Sequence, residues 1–163
     1  MMKNKFNPKR TGYLILGLAM VFLLSNCKKE TEEIDTSYPE IVASASAFPQ
    51  QCSIVKRGES FTFKAQVSDN VELGSMSIDI HHNFDHHSHS TEVNSCNMEA
   101  IKTPVKPYLL IREINIPAGQ KNYEATATIN VPADIDPGDY HFLIRITDKA
   151  GWQTIKGISI KIN

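Results

Sequence analysis

No hydrophobic run in this chain is long enough to cross a bilayer as a helix. The longest, Tyr13 to Leu24, has twelve residues, against the roughly 20 that a helical span requires. An excess of charge of one sign is also lacking. Seventeen basic and 18 acidic residues give a net charge of −1, which leaves no basic footprint for nucleic acid. Catalytic signatures are missing too: there is no phosphate-binding glycine loop, no nucleophile–base motif and no paired-carboxylate cleft. Ser88 or Ser90 beside His89 is adjacency in sequence only, which makes no triad. The chain therefore reads as non-enzymatic. Beyond the first thirty residues helical periodicity is absent, which points away from helical architectures.

What is present begins with an address. Lys3, Lys5, Lys9 and Arg10 precede the apolar run, and Leu24-Ser25-Asn26-Cys27 follows it. A basic start and a short apolar stretch have the form of a signal peptide. The small polar pair before the cysteine resembles a bacterial lipobox, which implies removal of residues 1–26 and lipidation of Cys27. An ordinary signal peptide with a chance cysteine, or a short N-terminal anchor, is the alternative. Processing takes away four basic residues and no acidic one, so the mature balance is 13 against 18, a charge of −5. That charge disfavours electrostatic docking on anionic lipid, and the membrane partner is reached by acyl chains instead. Residues 27–37 form the lipidated cysteine and a charged tether. Its start, Lys28-Lys29-Glu30-Thr31-Glu32-Glu33, resembles the export signal of Bacteroidota lipoproteins. The resemblance implies a cell-envelope protein anchored in the outer membrane and displayed at the surface.

With Cys27 assigned to lipid, Cys52 and Cys96 remain as an even pair in an oxidising compartment, where a disulfide persists. Two thiols or two metal ligands are the alternatives.

Residues 38–163 carry short strand signals. Phe61, Phe63, Ala65 and Val67 alternate along one stretch, and Met76 to His81 alternates again. Pro39 to Ser46, Tyr108 to Ile116, Tyr123 to Val131, Tyr140 to Ile146 and Thr154 to Ile162 supply the rest, with turns at Ser68-Asp69-Asn70, Pro117-Ala118-Gly119 and Asp148-Lys149-Ala150-Gly151. About seven such strands predict an all-β, immunoglobulin-like antiparallel sandwich. Val131-Pro132 through Asp139-Tyr140 resembles the E–F corner of Ig-like domains, in which a tyrosine bonds back to the corner. Ser68-Asp69-Asn70-Val71 resembles the B–C connection of bacterial Ig-like and cadherin-like modules. With the stretch His81-His82-Asn83-Phe84-Asp85-His86-His87, the whole resembles a family of uncharacterised Bacteroidota lipoproteins with one Ig-like domain. That resemblance implies the fold and brings no activity, since such sandwiches host many roles.

The departure from the pattern is a long insertion, 83–107, after strand C. Loops of this length are functional or disordered, and a Cys52–Cys96 bond would pin it. Five of the six histidines fall within nine residues, 81–89. Imidazole suits zinc and copper, and carboxylates complete such sites. In extended chain Asp79, His81, Asn83, Asp85, His87 and His89 share one face. In an Ig-like sandwich strand C pairs with strand F, which carries His141, so that residue is expected on the outer face beside Asp79 and His81. The candidate ligands are His81, Asp85, His87, His89 and His141, with His82 and His86 behind them and Asp79 as an orienting carboxylate. Asp134, Asp136 and Asp139 are expected at the same end, so that all six histidines and several carboxylates gather there. A solvated His-rich loop and a pH-responsive patch are the other readings of the run.

Calcium ranks below zinc and copper as a cofactor; oxygen ligands for it could come from Asp134, Asp136 and Asp139, or from Asp69, Asn70 and Asp148 at the other end. Turn chemistry explains the same residues. Trp152 either covers the core end or forms an exposed aromatic. The expected function is a non-enzymatic binding module capturing a transition-metal ion. The alternative is a surface module for adhesion to an extracellular glycan or protein, with incidental histidines.

Overall fold

A computed structural model describes residues 34–89 and 96–163. The expected signal peptide, Cys27 and the first part of the tether lie outside these residues, as does Ser90. Residues Asp35–Asn163 form one compact unit. Its strands are β1 (Glu40–Val42), β2 (Ser53–Val55), β3 (Ser60–Ser68), β4 (Leu73–His82), β5 (Leu110–Ile114), β6 (Asn122–Asn130), β7 (Gly138–Asp148) and β8 (Gln153–Ile162). They build two sheets, β1-β3-β6 and β2-β8-β7-β4-β5, packed as an Ig-like sandwich. The described residues contain no helix long and apolar enough to cross a membrane.

Period-two alternation decides which side chains face inward. Phe63, Ala65 and Val67 of β3 and Ala125 and Ile129 of β6 are buried from one sheet. Met76, Ile78 and Ile80 of β4, Tyr140, Phe142, Ile144 and Ile146 of β7, and Ile158, Ile160 and Ile162 of β8 are buried from the other. The Phe63 and Phe142 rings stack across the interface, with centroids 5.5 Å apart. Each buried aliphatic or aromatic side chain contributes on the order of 2 kcal/mol of transfer free energy.

The first strand departs from expectation. The strand expected over Pro39 to Ser46 is shortened to the three residues of β1, and an unexpected strand of three residues, β2, follows it on the other sheet. β1 runs antiparallel to β3 and β2 runs parallel to β8. The edge segment thus changes sheets, and β2 is too short to show a period. The β6–β7 corner follows the sequence pattern: the Tyr140 hydroxyl donates to Asp136 O (2.6 Å) and accepts from the Tyr108 N–H (3.1 Å).

Cys52 and Cys96 form a disulfide, Cα atoms 5.5 Å apart, which ties the insertion to the β8 edge, where the Cys52 N–H donates to Ser159 O. Further ties come from the corner. Asp139 accepts the Glu99 N–H, and one oxygen of Asp136 accepts the N–H groups of both Val105 and Lys106, each at 2.7 Å. Lys102 donates its N–H to Phe84 O and lays its ammonium 4.4 Å from the Phe84 ring centroid. Phe84 in turn packs edge-on against Tyr140. Gly138 sits beneath this layer at φ +132°, where a Cβ would come within 2.8 Å of Lys102 Nζ and 3.0 Å of Phe84. Only glycine lets the insertion lie this close to the sheet.

Candidate metal centre

The centre starts from the β4–β7 register. Ile80 pairs with Phe142, His81 with His141, and His82 with Tyr140. Since Ile80 and Phe142 face the core, His81 and His141 emerge together on the outer face of the five-stranded sheet, ring centroids 5.3 Å apart. β4 ends at His82, and the chain then turns. Asn83 donates its N–H to Asp139 O, His86 donates its N–H to Asn83 O, and His86 takes up φ 59°. Histidine is among the side chains that tolerate this left-handed region. The turn folds the chain back over the sheet, bringing His87 and His89 onto the pair.

Four rings converge as a result. The His87 centroid is 4.7 Å from that of His141, and the His89 centroid is 4.6 Å from it. The remaining pairs lie between 5.1 and 5.6 Å. One ring nitrogen from each of His81, His87, His89 and His141 lies within 4.8 Å of the others. His81 Nε2 and His89 Nε2 are 3.0 Å apart. Nitrogens bound at roughly 2.0–2.1 Å to one tetrahedral ion stand about 3.4 Å from one another, a spacing that falls inside the 4.8 Å bound on the four nitrogens.

Two carboxylates fix ring orientation. Asp79 Oδ1 lies 2.6 Å from His81 Nδ1, and Asp85 Oδ1 lies 2.6 Å from His87 Nδ1. A proton on each Nδ1 donates to its carboxylate and leaves Nε2 as the basic nitrogen. This is the way metal-binding histidines are commonly held. The His87 hydrogen bond keeps the Asp85 carboxyl below the ordinary aspartate range. His141 Nε2 lies 3.1 Å from His87 O, which locks the deepest ring to the insertion.

The expected residues thus divide. His81, His87, His89 and His141 come together; Asp85, expected as a ligand, orients His87 instead. His82 packs on Phe84, centroids 5.0 Å apart, and His86 bonds through Nε2 to Glu99 O (2.9 Å). His82 and His86 stand outside the four-ring cluster, the His82 ring 6.4 Å from that of His87, because the turn at Asn83–His86 breaks the extended alternation. Nor do the corner aspartates join the cluster. Asp136 and Asp139 are occupied by backbone N–H groups, and Asp134 pairs with Lys106. His141 lies on the outer face as expected, yet it is completely buried, because the insertion covers it. Sequence reasoning missed two residues that fasten that cover, Glu99 and Gly138. The one signal for the cover was Phe84, an apolar residue interrupting the run of polar side chains.

The family model described as "Domain of unknown function (DUF4625)" matches residues 25–163. The chain belongs to this family. No curated protein matches it. Among solved structures, one titled "GspB Siglec domain" is similar at 21% identity and a TM-score of 0.42; the match covers 79% of this chain and 59% of that one. The chain therefore spans less than two thirds of that structure's length. The DUF4625 description carries no activity, so chemistry has to be read from the side chains.

Proposed function

We propose that this DUF4625 chain is a lipid-anchored, surface-displayed envelope protein of the Bacteroidota type that captures a divalent transition-metal ion at the four-histidine cluster. The observation that carries the reading is the convergence of His81, His87, His89 and His141 with ring nitrogens within 4.8 Å of one another. Four imidazoles suit zinc or copper(II), and the lack of thiolate at the cluster disfavours softer ions. Four protein ligands also fill a tetrahedral shell. Catalytic zinc sites keep one position for water or substrate, whereas closed sites hold the ion. The reading is accordingly non-enzymatic: storage, delivery or metal-dependent adhesion. Attachment rests on Cys27 and the segment before it, and outward display rests on the lysine and acidic residues after it.

Calorimetric titration of the purified chain with zinc and with copper(II) tests the proposal. Micromolar or tighter binding is expected, lost in His87→Ala/His89→Ala. Millimolar or absent binding at neutral pH overturns it.

A second reading has an observation of its own. Ile101, Val105, Leu109 and Ile111 are all more than 60% exposed, in and just after the insertion at the β5 edge. Apolar exposure of this kind suits adhesion to an extracellular protein or glycan. Binding to a glycan or protein array that persists in chelator would favour it over metal capture.

A further inference from the structure

The end of the sandwich opposite the histidines holds a second cluster. Asp69 follows β3, Asp148 closes β7, and Asp35 lies where the chain joins the domain; one carboxylate oxygen from each lies within 4.8 Å of the others. Leu73 pairs with Asp148 and His81 with His141 on the same two strands, so the clusters are roughly 25 Å apart by strand rise.

Turn chemistry accounts for half of each carboxylate. Asp69 Oδ1 accepts the N–H groups of Val71 and Glu72 at 2.8 and 2.7 Å. Asp148 Oδ1 accepts those of Gly151 and Trp152 at 2.6 and 2.8 Å. The other oxygens, Asp69 Oδ2 and Asp148 Oδ2, are removed from solvent and have no hydrogen-bond partner. Asp148 as a whole is only 4% exposed. A turn-forming aspartate ordinarily leaves its second oxygen in water, and a buried one needs a donor or a cation. No positive side chain meets that need among the described residues. Lys121, which donates to Asn70 O (2.8 Å), is directed at a carbonyl and not at the carboxylates. The ion pairs of the described residues do not include Asp35, Asp69 or Asp148.

We infer that Asp35, Asp69 and Asp148 bind a calcium ion that fastens the start of the domain to the β3–β4 and β7–β8 turns. The donors are all hard oxygens, which suit calcium and not the softer ions of the histidine cluster. Calcium takes six to eight oxygens in flexible geometry, so three carboxylates supply the charge and water completes the shell. The surrounding contacts already gather the three chain segments. Asp35 Oδ1 accepts from Ser37 N and Asn70 Nδ2, both at 3.0 Å; Trp152 Nε1 donates to Asp35 O (2.9 Å), and Tyr38 packs on the Trp152 ring. Trp152 thus serves this junction as a clasp.

The test is calcium added to the metal-free full chain in detergent, read by thermal unfolding and calorimetry. A saturable rise of roughly 3–6 °C is expected at ten-fold excess over Kd, with Kd of about 0.1–1 mM. The rise should survive His87→Ala/His89→Ala and vanish in Asp69→Asn/Asp148→Asn. Because Asp148 is buried, the accessible Asp35→Asn serves as a second variant, expected to weaken binding several-fold with the fold intact. Trp152 is the sole tryptophan, so terbium at the site should show tryptophan-sensitised emission that calcium displaces. No calcium response at 10-fold the upper end of that Kd range, a response unchanged in both aspartate variants, or terbium emission that calcium does not displace would each overturn the assignment.

Discussion

Replacing Cys52 and Cys96 together by serine should lower unfolding free energy by about 4 kcal/mol. The bond joins positions 44 apart in sequence, and closing a loop of that length in the denatured chain corresponds to about 4 kcal/mol in the chain-entropy treatment. Serine is the informative replacement. Cys52 sits at φ 64°, and serine carries a similar cost there, so local backbone strain cancels from the comparison. For a unit of this size the loss corresponds to roughly 12–20 °C in Tm. The native side is expected to change little, because Asp136, Asp139 and Phe84 O hold the insertion through the N–H groups of Val105, Lys106, Glu99 and Lys102. Thermal and denaturant unfolding measure the total, and amide exchange at those four residues separates the two effects. A Tm drop below roughly 3 °C, with the bond verified by mass spectrometry in the parent, would refute the denatured-state argument. Lost protection at the four amides with the domain still folded would show instead that the bond holds the insertion in place.

Asp79→Asn and Asp85→Asn should each weaken zinc binding by about 10–100-fold, the usual effect of removing a carboxylate behind a histidine ligand; calorimetry on a chain with unchanged circular dichroism checks this. Tyr140→Phe removes one hydroxyl that serves both Asp136 O and Tyr108 N and should cost about 1–3 kcal/mol in denaturant unfolding. Burial pushes the Tyr140 hydroxyl above its ordinary pKa of 10.0, against the opposing hydrogen bond from Tyr108 N–H. In that direction the unfolded chain ionises first. The contribution is complete below about pH 10 and is lost as pH rises through the higher folded value, so the alkaline decline in Tm should be shallower in Tyr140→Phe. Gly138→Ala, which forces a Cβ against Lys102 and Phe84, should destabilise by at least ~1 kcal/mol and lower zinc affinity with it; an unchanged affinity would mean that the insertion is held independently of this contact.

The sequence by itself determined the layers and the pairing. Alternation along 60–67, 76–81 and 140–146 settles which residues are buried, because a period of two admits only one face to the core. The corner tyrosine was legible because its turn has a local pattern, and β2 was not, because three residues show no period. The face also followed: once Ile80 and Phe142 face inward on paired strands, His81 and His141 must share the outer face, whereas the register that sets them directly opposite came from the structure. Tertiary structure decided the rest of the histidine cluster. Whether His87 and His89 return to the sheet depends on a left-handed turn at His86, a disulfide to a distant edge, and Asp136 and Asp139 at the β6–β7 corner, which accept the insertion's N–H groups. None of these is periodic, and each joins segments far apart in the chain. The same holds at the other end. Asp69 and Asp148 have the sequence signature of turns, and only packing removes their second oxygens from water and places Asp35 against them.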